Sequence, residues 1–357
     1  MSSARPLTAA LLLLASAAGA REPSGAAVLE ATEEMRAAAA AWLTTLDDDL
    51  RTQGTFAFDG PERTNWQFVP MERVGVAFKE MNLPQRRAAR ALMRSALSDR
   101  GYLKVTTIMS LENVLRTMEA DRPDVASRRD QEKYWFAVFG DPTATDGRPW
   151  GWRVEGHHVS LNFASTGPET DDPLASTPLF LGANPAEVRV GPRVGLRALG
   201  AEDDLGRAVM ASLDAEQRAA ATLAPEAPGD VAGVPGAPPK IEGPAGLSVR
   251  EMNATQQAAV RRLVESFANL LRPEAADDLL SEIDSAGFDQ LHFAWAGSVA
   301  TLTDPATTKR HYFRVHGPTF ILELDFQEPN HVHSVWHSTT DDFGLETLRR
   351  HHAAHAH

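Results

Sequence analysis

The sequence contains no cysteine. That absence excludes structural disulfides, thiolate metal sites, iron–sulfur clusters and a cysteine nucleophile, so any metal must be held by nitrogen and oxygen. Positive charge is scarce as well. Lys and Arg number 35 against 48 Asp and Glu, a formal charge of −13, and so acidic a chain is a poor partner for nucleic acid or an acidic membrane surface. Long apolar runs are missing: the most apolar stretch, residues 7–18, is too short to span a bilayer. There is no Gly-x-Ser-x-Gly elbow, no His-Glu-x-x-His pair and no phosphate loop. Histidine is absent from the first 156 residues, yet the chain holds 12. His157 and His158 stand together, and the others lie at or beyond His292.

What is present suits a packed protein. Apolar residues make up 43% and charged residues 23% of 357, close to the globular average, and the length leaves room for two domains. Arg5, the run Leu11-Leu12-Leu13-Leu14 and the small residues Ala18-Gly19-Ala20 have the pattern of a secretory leader. The expectation is a signal peptide over 1–20 and an exported protein, periplasmic or extracellular, with no membrane insertion after processing.

Apolar periodicity predicts helices over 28–50, 85–97 and 105–118, strands over 134–139 and 150–163, and two helices ending near Leu223. Residues 224–246 are rich in proline and glycine and read as a linker. Across it a weak repeat is visible. Met81-Asn82, Gln85, Leu92 and Ser95 recur as Met252-Asn253, Gln256, Leu263 and Ser266; Phe136-Ala137 with Gly140 recurs as Phe293-Ala294 with Gly297; Arg153-Val154 with Gly156 recurs as Arg314-Val315 with Gly317. The expected architecture is α+β: two related lobes, 21–223 and 247–350, each of helices followed by an antiparallel hairpin, in a pseudo-twofold relation. Residues 351–357 form a histidine-rich tail.

Two constellations carry candidate chemistry. In Trp150 to Phe163, a strand period of two turns Trp152, His158, Ser160 and Asn162 one way and Arg153, Glu155, His157 and Leu161 the other. Adjacent histidines on an ordinary strand cannot share a metal, although a bulge at Gly156 would redirect one ring. The plain alternative is one core histidine and one solvated. In Asn330 to His337, alternation puts His331, His333 and His337 on one face, a common presentation of paired imidazoles. Phe320 to Phe326 precedes it across a turn at 327–330. A four-residue loop sets His331 and His333 beside Leu324 and Phe326; one bulge residue sets them beside Glu323 and Asp325. The plain alternative is an exposed histidine-bearing strand.

The two constellations occupy equivalent hairpins of the repeat. Joined, His157 or His158 with His331 and His333 would form a three-imidazole site for zinc, iron, manganese or copper. Glu155 is then a candidate general base or outer partner, and Arg153 and Arg314 candidate anion anchors. Trp152, Asn162 and Trp336 would line the ligand site. Asp342-Phe343-Gly344 reads as a helix start, and the terminal histidines as a frayed tail.

The runs Trp152 through Phe163, Gly182-Ala183-Asn184-Pro185-Ala186, Gly191 through Arg197, Glu202 through Arg207 and Asn330-His331-Val332-His333 resemble a bacterial family catalogued as domain of unknown function 3500. The resemblance covers essentially the whole mature chain and implies one long unit; it implies no reaction. At His337 the family pattern carries arginine, which counts against that residue as a ligand. The expectation is an exported metal-dependent enzyme, hydrolytic or oxidative, acting on a small molecule, peptide or carbohydrate. The alternative is a non-catalytic exported binding protein whose tryptophans and arginines line a groove.

Overall fold

The computed structural model describes residues 25–144, 146–165, 174–235, 241, 243–299 and 310–354. The expected leader, part of the Pro/Gly-rich stretch and the last three residues of the tail lie outside the described residues.

The first half runs through α1 (Gly25–Thr45), α2 (Asp48–Gly54), β1 (Thr55–Phe56), β2 (Val76–Ala77), α3 (Leu83–Ala96), α4 (Asp99–Met118) and α5 (Val125–Arg128). It continues through β3 (Tyr134–Phe139), β4 (Trp150–Gly156), β5 (Val159–Ser165), β6 (Leu174–Ala175) and β7 (Leu179–Ala183). The second half runs through α6 (Gly200–Ser212), α7 (Ala215–Ala221), β8 (Thr222–Ala224), β9 (Leu247–Ser248), α8 (Ala254–Ala268) and α9 (Pro273–Ala286). It ends with β10 (His292–Gly297), β11 (His311–His316), β12 (Phe320–Glu328), β13 (His331–Ser338) and α10 (Leu345–Ala354). The fold is α+β, with ten helices and one large mixed sheet of 13 strands among the described residues.

The repeated Met-Asn-x-x-Gln motif starts a helix in both halves. Asn82 accepts from Gln85 N at 3.1 Å while Gln85 accepts from Asn82 N at 2.7 Å; Asn253 and Gln256 do the same at 3.0 and 2.9 Å. Each pair satisfies two backbone donors that a helix start would leave unmet. Upstream, Gly75 and Gly246 take φ of +99° and +103°, where a Cβ would meet Phe136 O at 2.5 Å and Phe293 O at 2.3 Å. Only glycine fits such a left-handed, crowded position.

The strand order is β1-β3-β4-β5-β7-β13-β12-β11-β10-β8, with β2 on β3, β6 on β5 and β9 on β10. From either end it begins with a parallel pair, β1 with β3 and β8 with β10, and passes through an antiparallel meander. At the centre β7 pairs antiparallel with β13, so one sheet is continuous through both halves. One sheet face packs Trp152, Val154, Leu161, Leu322 and Trp336 into a core with Trp42, Leu92, Ile108 and Leu263 of the helices. The other face carries Arg153, Glu155, Glu323 and His333 beneath irregular segments. From these segments Trp66, Phe68 and Val231 pack on Phe180 and Val335. Strands covered on both faces read as nearly unbroken apolar runs with polar interruptions. The described part of the Pro/Gly-rich stretch lies on this second face, Ala232 N and Gly233 N donating to Glu323 at 2.9 and 3.0 Å.

The run 150–163, expected as one strand, is a hairpin. Gly156 pairs with Val159, and His157-His158 form the two-residue turn between them. His158 takes φ +65°, a left-handed conformation that closes the turn at a steric cost for a non-glycine residue.

Candidate metal centre

Two segments converge at one end of the sheet centre. The β4–β5 turn presents His158, and the start of β13 presents His331 and His333 on one strand face. The β12–β13 register shifts between Phe326 and Glu328, which sets His333 opposite Asp325 and His331 opposite Glu328. Of the two registers open to the sequence, the bulged one is adopted. Between the segments lies β7. Its Gly182 N donates to His158 O at 2.8 Å, and His158 N donates to Phe68 O at 2.9 Å. A Cβ on Gly182 would lie 2.8 Å from His158 Cδ2 and 3.0 Å from His333 Cδ2, so the missing side chain makes room for both rings.

The Nε2 atoms of the three rings form a triangle: His158 to His331 2.7 Å, His331 to His333 3.0 Å and His333 to His158 3.3 Å. Among the described residues this is the one group whose ligand atoms cluster as a metal site requires. An ion bonded to all three at about 2.0–2.1 Å would sit about 1 Å above the plane of such a triangle, with N–metal–N angles of roughly 80–110°. The three imidazoles would then hold it from one side.

Hydrogen bonding among the rings cannot satisfy the triangle. Each Nε2 is either a donor or an acceptor, so two of the three are alike and repel at 3.3 Å or less. His333 Nδ1 faces Asp230 Oδ1 at 2.8 Å; with its proton on Nδ1, this ring directs a lone pair inward, the arrangement of a carboxylate–histidine–metal relay. Burial, then the neighbouring His157, His333 and His331, push the His158 imidazole well below its ordinary pKa. Burial and His333 lower that of His331 to about 3. Both rings are therefore neutral at physiological pH, the form that ligates metal. Phe68 and Phe180, stacked on each other at 4.1 Å, abut His333 edge-on at 5.1 and 5.3 Å.

His157 stands apart from the triad. Its ring stacks on His158 at 3.8 Å, while its Nδ1 meets Glu112 and lies 3.3 Å from Arg129. The bulge considered at Gly156 does not occur; the turn itself gives the two stacked rings different polar partners. Glu155 accepts from Gln67 N at 2.8 Å and pairs with Arg153 at 3.1 Å, and burial raises its pKa despite Arg153 and Arg73. Arg153 binds Glu62 Oε1 at 2.6 Å and the carbonyls of Glu62 and Asn65 at 2.9 and 3.1 Å. Both residues thus hold the segment that carries Phe68 to the triad. Asn162 donates to Pro178 O at 3.0 Å. Trp152 is buried, its indole N–H on Met35 Sδ at 2.9 Å and its ring on Phe163. Trp336 stacks on Phe320 at 4.7 Å inside the core. Arg314 is buried on β11 opposite Glu323. Glu323 is occupied by two backbone N–H groups and by the Tyr312 hydroxyl at 2.8 Å. His337 pairs with Asp342.

Sequence reasoning missed Asp230, because it lies in the stretch read as a linker. It also missed the part played by Gly182, which appeared only inside a motif, and Glu112, which lies on a helix far from either histidine run.

The fold and the site define an α+β protein with a buried three-histidine pocket of metal-ligand geometry. The chain belongs to the DUF3500 family: a family profile described as "Protein of unknown function (DUF3500)" matches residues 29–345. No curated protein and no solved structure matches it.

Proposed function

We propose that the protein is an exported metal-dependent enzyme in which His158, His331 and His333 hold one divalent transition ion: zinc, iron, manganese or copper. The observation that carries the reading is the Nε2 triangle, whose close contacts the rings cannot all satisfy by hydrogen bonding to one another and a cation facing all three lone pairs would relieve. Three neutral ligands leave the ion its full double charge, which acidifies a bound water strongly and favours hydrolysis. An oxidative reaction follows if the resident ion is copper or iron. Asp230 orients His333, and Glu155 and Arg153 act by holding the segment of Phe68. The palindromic strand order and the paired capping motifs support an internal duplication with a pseudo-twofold axis between β7 and β13. The triad draws on both halves, His158 from the first and His331 and His333 from the second. The leader-like residues 1–20 support export.

The test is elemental analysis of protein made without an affinity tag and ended at residue 350, so that tail histidines take no part. About one equivalent of a transition metal per chain is expected, falling below about a tenth in His158→Ala and His333→Ala. Retention of the metal in both variants, or its absence from the parent protein after incubation with each of the four ions, would overturn the reading. A non-catalytic binding protein is the reading left if the protein binds a ligand while it takes up no metal.

A further inference from the structure

Beside the triad, on the outer side of His157, lies a cleft of about 320 Å³. Its lining includes Met71, Arg73, Glu112, Arg128, Trp135 and His157. The cleft is chemically unfinished. Glu112 is 3% exposed, and its Oε2 is buried with no hydrogen-bond partner among the described residues. Arg73 spends its terminal nitrogens on the carbonyls of Met71, Val69 and Gly156, while its Nε, paired only at 3.8 Å with Glu155 Oε1, has no hydrogen-bond acceptor. Unmet buried acceptors and donors each cost free energy unless a ligand or water completes them. The neighbouring charges are largely spoken for: Lys133 pairs with Glu72, Asp130 with Lys79 and Glu119 with Arg129. Arg128 is exposed and makes no ion pair or side-chain hydrogen bond among the described residues. Met71 is 49% exposed at the rim.

We propose that this cleft binds a short peptide, or an N-acyl amino acid, through its free carboxylate. Arg128 takes the carboxylate. A peptide unit supplies the two groups the floor lacks, an N–H for Glu112 Oε2 and a carbonyl for Arg73 Nε. An apolar side chain covers Met71 and Trp135. Guanidinium is suited to a carboxylate by its planar fork of donors. The site communicates with the metal centre because Glu112 and Arg129 hold the His157 ring on that of His158 at 3.8 Å. Occupancy of cleft and metal site is therefore linked, and each ligand changes the affinity of the other by one common factor. Only this linkage rests on the metal reading; none of the three metal ligands lines the cleft.

The test uses N-acetyl-L-leucine, the smallest probe with carboxylate, amide and apolar groups together, titrated calorimetrically into the full chain with and without zinc. One saturable site of about millimolar Kd or tighter is expected in both states. Replacing the probe's carboxylate by an amide, or Arg128 by Ala, should weaken it about fivefold or more. Arg128 is exposed, so its variant keeps the fold, which thermal denaturation checks. Absence of saturable binding, or binding indifferent to both the amide and Arg128→Ala, overturns the proposal. Binding of the probe with no uptake of zinc, iron, manganese or copper removes the metal reading and leaves the cleft standing. Equal zinc affinity with and without saturating probe overturns the linkage.

Discussion

At Gly182 one absent methyl group separates a metal site from a clash. An Ala there would press its Cβ against two ligand rings held by strands that cannot both retreat. Gly182→Ala should therefore lower metal affinity by tenfold or more and cost about 1–3 kcal/mol of stability. Asp230→Asn removes only the carboxylate that fixes the His333 tautomer. It should cost about 10–100-fold in metal affinity with little change in the metal-free melting temperature. Competition against a chelator measures both. Equal affinity for parent and Asp230→Asn would show that this contact does not orient the ligand. These residues also mark how far the sequence could be read. His331 and His333 were legible because strand alternation fixes their common face. Which of His157 and His158 joins them was not, since that depends on a turn whose second residue has positive φ. Asp230 reaches the site from 103 residues away in the chain through loop geometry that no periodicity encodes.

Among the elements, α6 is fastened to β11 through one carboxylate. Asp203 binds Arg207 at 2.8 Å, Arg197 at 2.7 Å and His311 Nε2 at 2.8 Å. Burial alone would raise its pKa, but the His311 and Arg207 contacts outweigh that and hold it at about 2. A folded-state pKa below the unfolded value of about 3.9 stabilises the protein above that pH, and the contribution fades as pH falls through about 2. The shift corresponds to about 2–3 kcal/mol. Asp203→Asn should thus be destabilised at neutral pH and lose part of the steepness of acid unfolding between about pH 4 and 2. A parallel displacement of the whole stability–pH curve would refute the assignment. The elements themselves were mostly legible. The Asn82/Gln85 and Asn253/Gln256 capping pairs and the 320–338 hairpin follow local rules. The 150–163 run did not, because two strands buried on both faces and joined by a two-residue turn leave no break in apolar pattern.

For the whole molecule, the join between β7 and β13 decides its behaviour. The sequence repeat pointed to two halves, and in each an Asn/Gln-capped helix precedes antiparallel strands. How the halves meet was not legible, since strand pairing between segments about 150 residues apart leaves no local signal. Five residue pairs along that join make one sheet. The two halves should therefore unfold together in a single thermal transition. A chain ended at residue 223 should give no cooperative transition, because β7 would be an unpaired edge in the middle of the sheet. Independent melting of that fragment would show that each half is a domain in its own right.

The most direct measurement of the central claim is X-ray absorption at the edge of the metal bound to tag-free protein ended at residue 350. Three imidazole nitrogens at about 2.0–2.1 Å are expected, with one or more further light atoms from the open side. An oxygen-only shell, or a spectrum unchanged in His331→Ala, would contradict it.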